Sequence, residues 1–191
     1  MEVLDFWFGT VDDPDHLAPR KTWFVKDTAF DAQIAKRSAA VIEQALVGGI
    51  DDWVTSSMDP LPAVARVIVL DQFTRNVFRG TARALAGDAL ALQSAGALAA
   101  AGADWAVTSV QRSFVQLPVE HAQDLSCQRT SVRLYEQPAR DDPAQAGGIK
   151  WAQRHHDSMA RSSRFPHRNA IPGREPTAEE AAYLLTPGSG F

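Results

Sequence analysis

The sequence predicts an all-α protein built of antiparallel helix pairs, and three observations predict it. Glycine and proline cut the chain into pieces of helical length. Apolar residues recur within those pieces at three- and four-residue spacing, the repeat of one buried helical face. No segment shows the alternation of period two that marks a half-buried strand. With 191 residues, 45% of them apolar, the chain has material for one sizeable core, so a single domain over residues 1–191 is expected.

The clearest helix begins at Asp27, an N-cap residue type, and stops at Gly48-Gly49. Inside it Phe30, Ile34, Val41 and Ala45 form one face. Pro62 to Phe78 follows. Its run from Val64 to Leu70 reads alone as a buried strand, but the segment's length and the polar residues spaced beyond the run favour a buried helix. A third helix, Asp88 to about Ala101, is rich in alanine and leucine and closes at Gly102. A fourth starts near Thr108, meets Pro118, where the missing backbone donor should kink or break it, and resumes to Glu136. Gln137 to Gly148 holds prolines, aspartates and glycines and reads as a surface loop. A fifth helix covers Ile149 to Ser162, and Arg164 to Arg174 is too broken by proline for regular structure. Thr177-Ala178-Glu179-Glu180 matches a capping box and opens a last short helix to Leu185.

Composition removes several function classes. A net charge of −4 gives no overall field for nucleic acid or an anionic membrane. The one cysteine, Cys127, excludes an internal disulfide framework and a cysteine-based zinc site. Met1 to Phe8 is apolar but short and acidic, with no basic n-region, so it is not a signal peptide. No stretch approaches the roughly 18 uninterrupted apolar residues of a membrane span. A cytoplasmic protein without cofactor, nucleic acid or membrane partner is expected.

Four polar constellations stand out. In Asp71-Gln72-Phe73-Thr74-Arg75-Asn76-Val77-Phe78-Arg79, Asp71 and Arg75 share a helix face, as do Gln72 and Asn76. An ordinary ion pair at a helix end fits this, but the preceding residues look buried on every side, and buried charges persist only when well partnered. In the second, His121, Asp124 and Gln128 form one polar stripe just past Pro118. Asp124 can orient the His121 imidazole as a base, the two can contribute to a metal site, or the stripe can be structural. Two ligands do not make a metal site, and none is assigned. In the third, His155-His156-Asp157, the stripe Ile149, Ala152, His156 and Met159 points His156 at the core and leaves His155 as the functional candidate. The fourth is the stretch from Arg161 to Arg174, with Arg161, Arg164, Arg168, Arg174 and His167 and no acidic residue between its ends. Arginine suits a bidentate grip on carboxylate or phosphate; a basic surface loop, or arginines tying the segment to helix ends, fits equally.

At these residues the sequence resembles the bacterial family catalogued as domain of unknown function 924, placed among the tetratricopeptide-like helical proteins. The matching stretches are Asp5-Phe6-Trp7-Phe8-Gly9, Trp23-Phe24 with Lys26-Asp27, Asp71-Gln72-Phe73 with Arg75-Asn76, and Phe78-Arg79-Gly80-Thr81-Ala82. Pro118 with Glu120-His121, Arg164-Phe165-Pro166-His167-Arg168-Asn169, and Pro187-Gly188-Ser189 with terminal Phe191 match too. The resemblance implies a tetratricopeptide-like α-α superhelix and brings no established activity. The chain departs from it at Ser162-Ser163, where such proteins usually carry Phe-Gly, and at Pro172, where leucine is commoner.

Three functional readings follow. In the first, helix pairs form a concave wall that binds, and can hydrolyse or transfer, a small anionic molecule bearing phosphate or carboxylate. His121, Asp124 and His167 would do the acid–base work there. Asp71, Arg75, Asn76, Arg79, His155, Arg164, Arg168 and Asn169 would hold the ligand. In the second, the superhelix is an interaction module gripping a peptide C-terminus, with Phe6, Trp7, Phe8, Trp23 and Phe24 either lining its groove or filling the core. In the third, the polar residues are a buried network that locks helices together.

Overall fold

The computed structural model describes residues 1–54, 59–141, 146–171, 173–186 and 189. The described residues are helical and contain no strand. They divide into two compact units, Met1–Pro118 and Val119–Phe191. No helix among the described residues is long and apolar enough to cross a membrane.

The first unit opens with α1, Glu2–Phe8, which delivers Trp7 and Phe8 to the core. Trp7 meets the rings of Trp23, Phe73 and Phe114 at centroid distances of 6.0, 5.6 and 5.6 Å. The amino-terminal aromatics Trp7, Phe8 and Trp23 are therefore core, while Phe24 is exposed. In α2, Thr28–Leu46, Asp27 is the N-cap, its carboxylate accepting from the backbone N–H of Ala29 and Phe30. The buried face of α2 is Ile34, Ser38, Ile42 and Ala45; Phe30 and Val41, expected on it, are half-buried.

The segment expected as a buried helix is one. It runs as α3, Leu61–Val67, a π turn over Ile68–Phe73, and α4, Thr74–Val77. From Ala63 to Thr74 every residue is buried, so the apolar run is inside because of where the helix lies and not because it is a strand. Pro62 stands in the first turn, where no backbone donor is needed. The next helix, α5, Asp88–Ala100, packs on α3 and on the π turn. Arg66, buried in α3, is held by the Leu90 carbonyl at 3.2 Å, by the Ser94 hydroxyl and by Asp51.

The helix α6, Ser109–His121, runs through Pro118 and ends three residues later, at His121. The break expected at the proline falls instead over residues 122–124, where Asp124 caps α7, Leu125–Asp141. Gln128 stabilises the break: its amide nitrogen donates to the carbonyls of Glu120 and Ala122, both at 2.7 Å, acceptors left over at the end of α6. The expected surface loop from Gln137 to Gly148 is largely helix, since α7 reaches Asp141 and Gly147 opens α8, Gly147–Ser162. Gly148 is there for packing: a Cβ on it would lie 2.4 Å from the Tyr135 ring. The helix ends on Ser163 in the left-handed conformation (φ 56°), a backbone glycine adopts without strain. It is the very position where the resemblance has glycine. Beyond a 3-10 turn, Pro166–Arg168, the capping box of Thr177 and Glu180 starts α9, Ala178–Leu184. Pro172, Pro187, Gly188 and Phe191 lie outside the described residues.

Two glycines test the packing of the first unit with opposite signs. A Cβ on Gly87 would lie 2.1 Å from the Leu70 carbonyl oxygen in the π turn, whereas one on Gly96, inside α5, meets open space. Gly87→Ala is expected to destabilise by about 1–3 kcal/mol, the range of an overpacked core. Gly96→Ala should stabilise by roughly 0.5–1 kcal/mol. Chemical denaturation of both variants measures the two differences, and equal effects would refute the close approach.

Candidate functional site

In the first unit the candidate residues face other side chains of that unit. Asp71, fully buried, is fixed by Arg75, whose Nη1 lies 2.9 Å from its Oδ1 and donates to its backbone carbonyl at 2.8 Å. The same Nη1 is 2.9 Å from Asp88 at the start of α5, and Gln72 donates to the other Asp71 oxygen at 2.7 Å. Asn76 and Arg79 both turn to Asp31 of α2, Asn76 at 2.7 Å and Arg79 through two bonds of 3.1 and 3.0 Å. The four candidates thus join the π turn and α4 to α2 and α5.

The second unit brings a different set together. His121 closes α6, His155 stands on the inner face of α8, and His167 and Arg168 sit in the 3-10 turn after it. The His121 and His155 rings are 6.1 Å apart, and Phe165 lies between His155, edge-on at 5.4 Å, and His167 at 5.7 Å. The Arg168 guanidinium covers Phe165 at 4.6 Å and donates to the His121 carbonyl at 3.0 Å. Gln123 anchors the turn by accepting from the Phe165 backbone N–H at 3.1 Å.

Glu120 supplies the carboxylate. Its Oε1 is 3.0 Å from His155 Nδ1, which also lies 2.9 Å from the Trp151 carbonyl. Two acceptors facing Nδ1 place the proton of the neutral ring there and its basic lone pair on Nε2. Burial, then the nearby Arg168, His155 and His121, push the His167 pKa down to about 3, so this ring is neutral at physiological pH.

Several sequence expectations are redirected. His155 is the buried histidine of α8 and His156 the half-buried one, beside Asp157 at 3.2 Å, the reverse of what the stripe suggested. Both lie one turn beyond Ala152, and His155 is the one that meets Glu120, His121 and Phe165. Asp124 is exposed and does not join the histidines. It caps α7, accepting from the Ser126 hydroxyl at 2.5 Å and the Cys127 N–H at 2.9 Å, and these bonds hold its pKa low. Arg164 and Asn169 turn to Glu180 of α9, at 2.6 and 3.2 Å, beside a depression of about 430 Å³ lined by Arg161, Ser162, Ser163, Arg164, Thr177, Glu179 and Glu180. Glu120, Gln123, Phe165 and Glu180 were missed as partners. For Glu120 and Phe165 a signal existed, since both lie within the stretches that carry the family resemblance.

Among the described residues no group of three or more His, Cys, Asp or Glu is arranged to hold a metal ion. What the cluster offers is imidazole chemistry beside a buried carboxylate and a guanidinium.

The family model described as bacterial protein of unknown function (DUF924) matches residues 3–188. The chain belongs to the DUF924 family. The solved structure of a protein of unknown function, ATU0120 from Agrobacterium tumefaciens, is similar to this DUF924 chain. The two are 35% identical, the match covers 96% of this chain and 95% of that one, and the TM-score is 0.82. No curated protein matches the sequence.

Glu180 gives this DUF924 protein a pH-dependent tie between α9 and the arginine turn. Arg164, then the Thr177 N–H, lower its pKa from 4.5 to about 2. A depressed carboxylate contributes stability that is present above its unfolded pKa and lost as pH falls through the folded one. Glu180→Gln should therefore melt below the parent chain at pH 7, and the gap should close between about pH 5 and pH 2. Thermal melts across that range check it, and a gap independent of pH would refute the tie.

Proposed function

We propose that the second unit binds a small molecule bearing phosphate or carboxylate at the cluster of His121, His155, His167 and Arg168. One observation carries this reading. Four side chains able to hold positive charge stand together there: burial first, and then the neighbouring Arg168, His155 and His121, lower the pKa of His167. Grouping such side chains in a partly buried place favours an anion among them, as Glu120 is for His155, and a ligand's phosphate or carboxylate would add to that neutralisation. Arg168 supplies a permanent charge, and the Glu120–His155 pair supplies an oriented base whose proton position is set. Proton transfer during hydrolysis or group transfer at a phosphate or carboxylate ester is the chemistry these groups can support, and binding without turnover uses the same residues. The α7–α8 pair is the kind of helical hairpin from which a tetratricopeptide-like superhelix is built, and the reading takes that scaffold with it.

A second reading holds for the first unit. Asp71 is wholly buried, and its charge is matched by Arg75, which also reaches Asp88. There the polar residues lock helices together.

Two measurements separate these roles. Inorganic phosphate or a small carboxylate at about 100 times its dissociation constant adds about 2.7 kcal/mol, which raises the melting midpoint by roughly 5–10 °C. His121→Ala should keep most of the stability and lose that rise; no rise with any anion on the parent chain sinks the reading. Asp71→Ala should instead cost about 1–3 kcal/mol by leaving the Gln72 and Arg75 donors that face it unanswered, with the anion response of the folded fraction intact. Equilibrium unfolding in urea reads that loss, and a change under 1 kcal/mol would remove the locking role.

A further inference from the structure

The anion site has a neighbour of opposite character. Four buried polar atoms at the end of α6 and along the seam of α7 and α8 have no hydrogen-bond partner among the described residues: Glu120 Oε2, Gln128 Oε1, Ser131 Oγ and Ser158 Oγ. Their side chains are 0–3% exposed. Gln128 and Ser131 lie one turn apart on α7, His155 and Ser158 one turn apart on α8, and the two helices pack on each other.

The orientation of two of these groups, Gln128 and Glu120, is determined. The Gln128 amide nitrogen faces two carbonyl acceptors, those of Glu120 and Ala122, so the oxygen of the same amide must point the other way. Glu120 gives Oε1 to His155 and keeps Oε2. The remaining set is a carboxylate oxygen and an amide oxygen, which only accept, and two hydroxyls, which accept and also donate. Buried acceptors without donors are costly, a carboxylate oxygen most of all. A protonated amine answers the set with three N–H donors and a compensating charge. The anion-binding groups are one residue away in the chain, because Arg168 is bonded to the carbonyl of His121, which follows Glu120.

We propose that the ligand of the second unit is a small zwitterion, with its phosphate or carboxylate toward His121, His167 and Arg168 and its protonated amine toward Glu120 and Gln128. This rests on the anion site proposed above and adds the amine subsite to it.

The test is calorimetric titration of the full chain with matched pairs that differ only in the amine: 2-aminoethyl phosphate against ethyl phosphate, and β-alanine against propionate. At least one amine-bearing member should bind about tenfold tighter or more than its partner, the gain expected of a buried charged hydrogen bond. Trimethylation of the amine of 2-aminoethyl phosphate, which keeps the charge and removes every N–H, should abolish that gain on the unaltered protein. Glu120→Gln should abolish the difference between the members of each pair as well. Equal affinity within both pairs, or a gain that survives trimethylation, overturns the amine subsite and leaves the anion site standing; the orphan acceptors would then be answered by water. Failure of all four compounds to bind overturns the anion site and this inference with it.

Discussion

A helix buried along its length has no solvent face on which to place its polar residues. The segment from Leu61 to Val77 is such a helix over Ala63 to Thr74, and Arg66, Asp71, Gln72, Thr74 and, just beyond, Asn76 are buried in it. Every one of them is met by a specific partner: Arg66 by Asp51, Ser94 and a carbonyl, Asp71 by Arg75 and Gln72, Thr74 by the Leu70 carbonyl, Asn76 by Asp31. Because the partners of Arg66 and Asn76 come from α2, α5 and the turn before α3, satisfying the helix also sets where its neighbours lie. The arrangement of the first unit follows from that requirement as much as from its aromatic core.

The π turn belongs to the same account. A π turn inserts extra residues into the helical repeat, so side chains on either side of it point in directions that an uninterrupted α-helix would not give. It puts Asp71 and Gln72 inside, and it presents the Leu70 carbonyl to the close approach of Gly87.

The second unit solves a like problem differently. Its buried polar groups are not all answered by one another. Glu120, Gln128, Ser131 and Ser158 keep atoms without partners, while His167 is held neutral among groups that can carry positive charge. In the first unit the polar residues of the sequence motif meet one another across helices, with single nitrogens such as Arg66 Nε left over; in the second a carboxylate oxygen, an amide oxygen and two hydroxyls are left over. That contrast is why the functional reading rests on the second unit. The turn bearing His167 and Arg168 is itself restrained by Gln123 and, through Arg164 and Asn169, by Glu180 of α9.

Helix identity and helix starts were legible in the sequence, because caps and breakers act on the backbone beside them. Asp27 and Thr177 each cap the helix expected of them, and the family resemblance rests on short stretches readable one after another. Two kinds of detail were not legible. Facing residues three and four positions on from one buried site fall on either side of the same line, since the helical repeat lies between three and four. Local pattern could not choose Ile42 over Val41 after Ser38, or His155 over His156 after Ala152; tertiary burial made both choices. Carboxylate partners were the other. Asp124 was the carboxylate nearest His121 at helical spacing, but it lies at the start of the next helix, where capping engages it, and the imidazole that gains a carboxylate is His155, matched with Glu120 from α6. What the sequence determined by itself is therefore the local backbone and the family. What only the tertiary structure decided is which polar side chains meet, because such meetings join residues far apart in the chain through packing that no local repeat encodes.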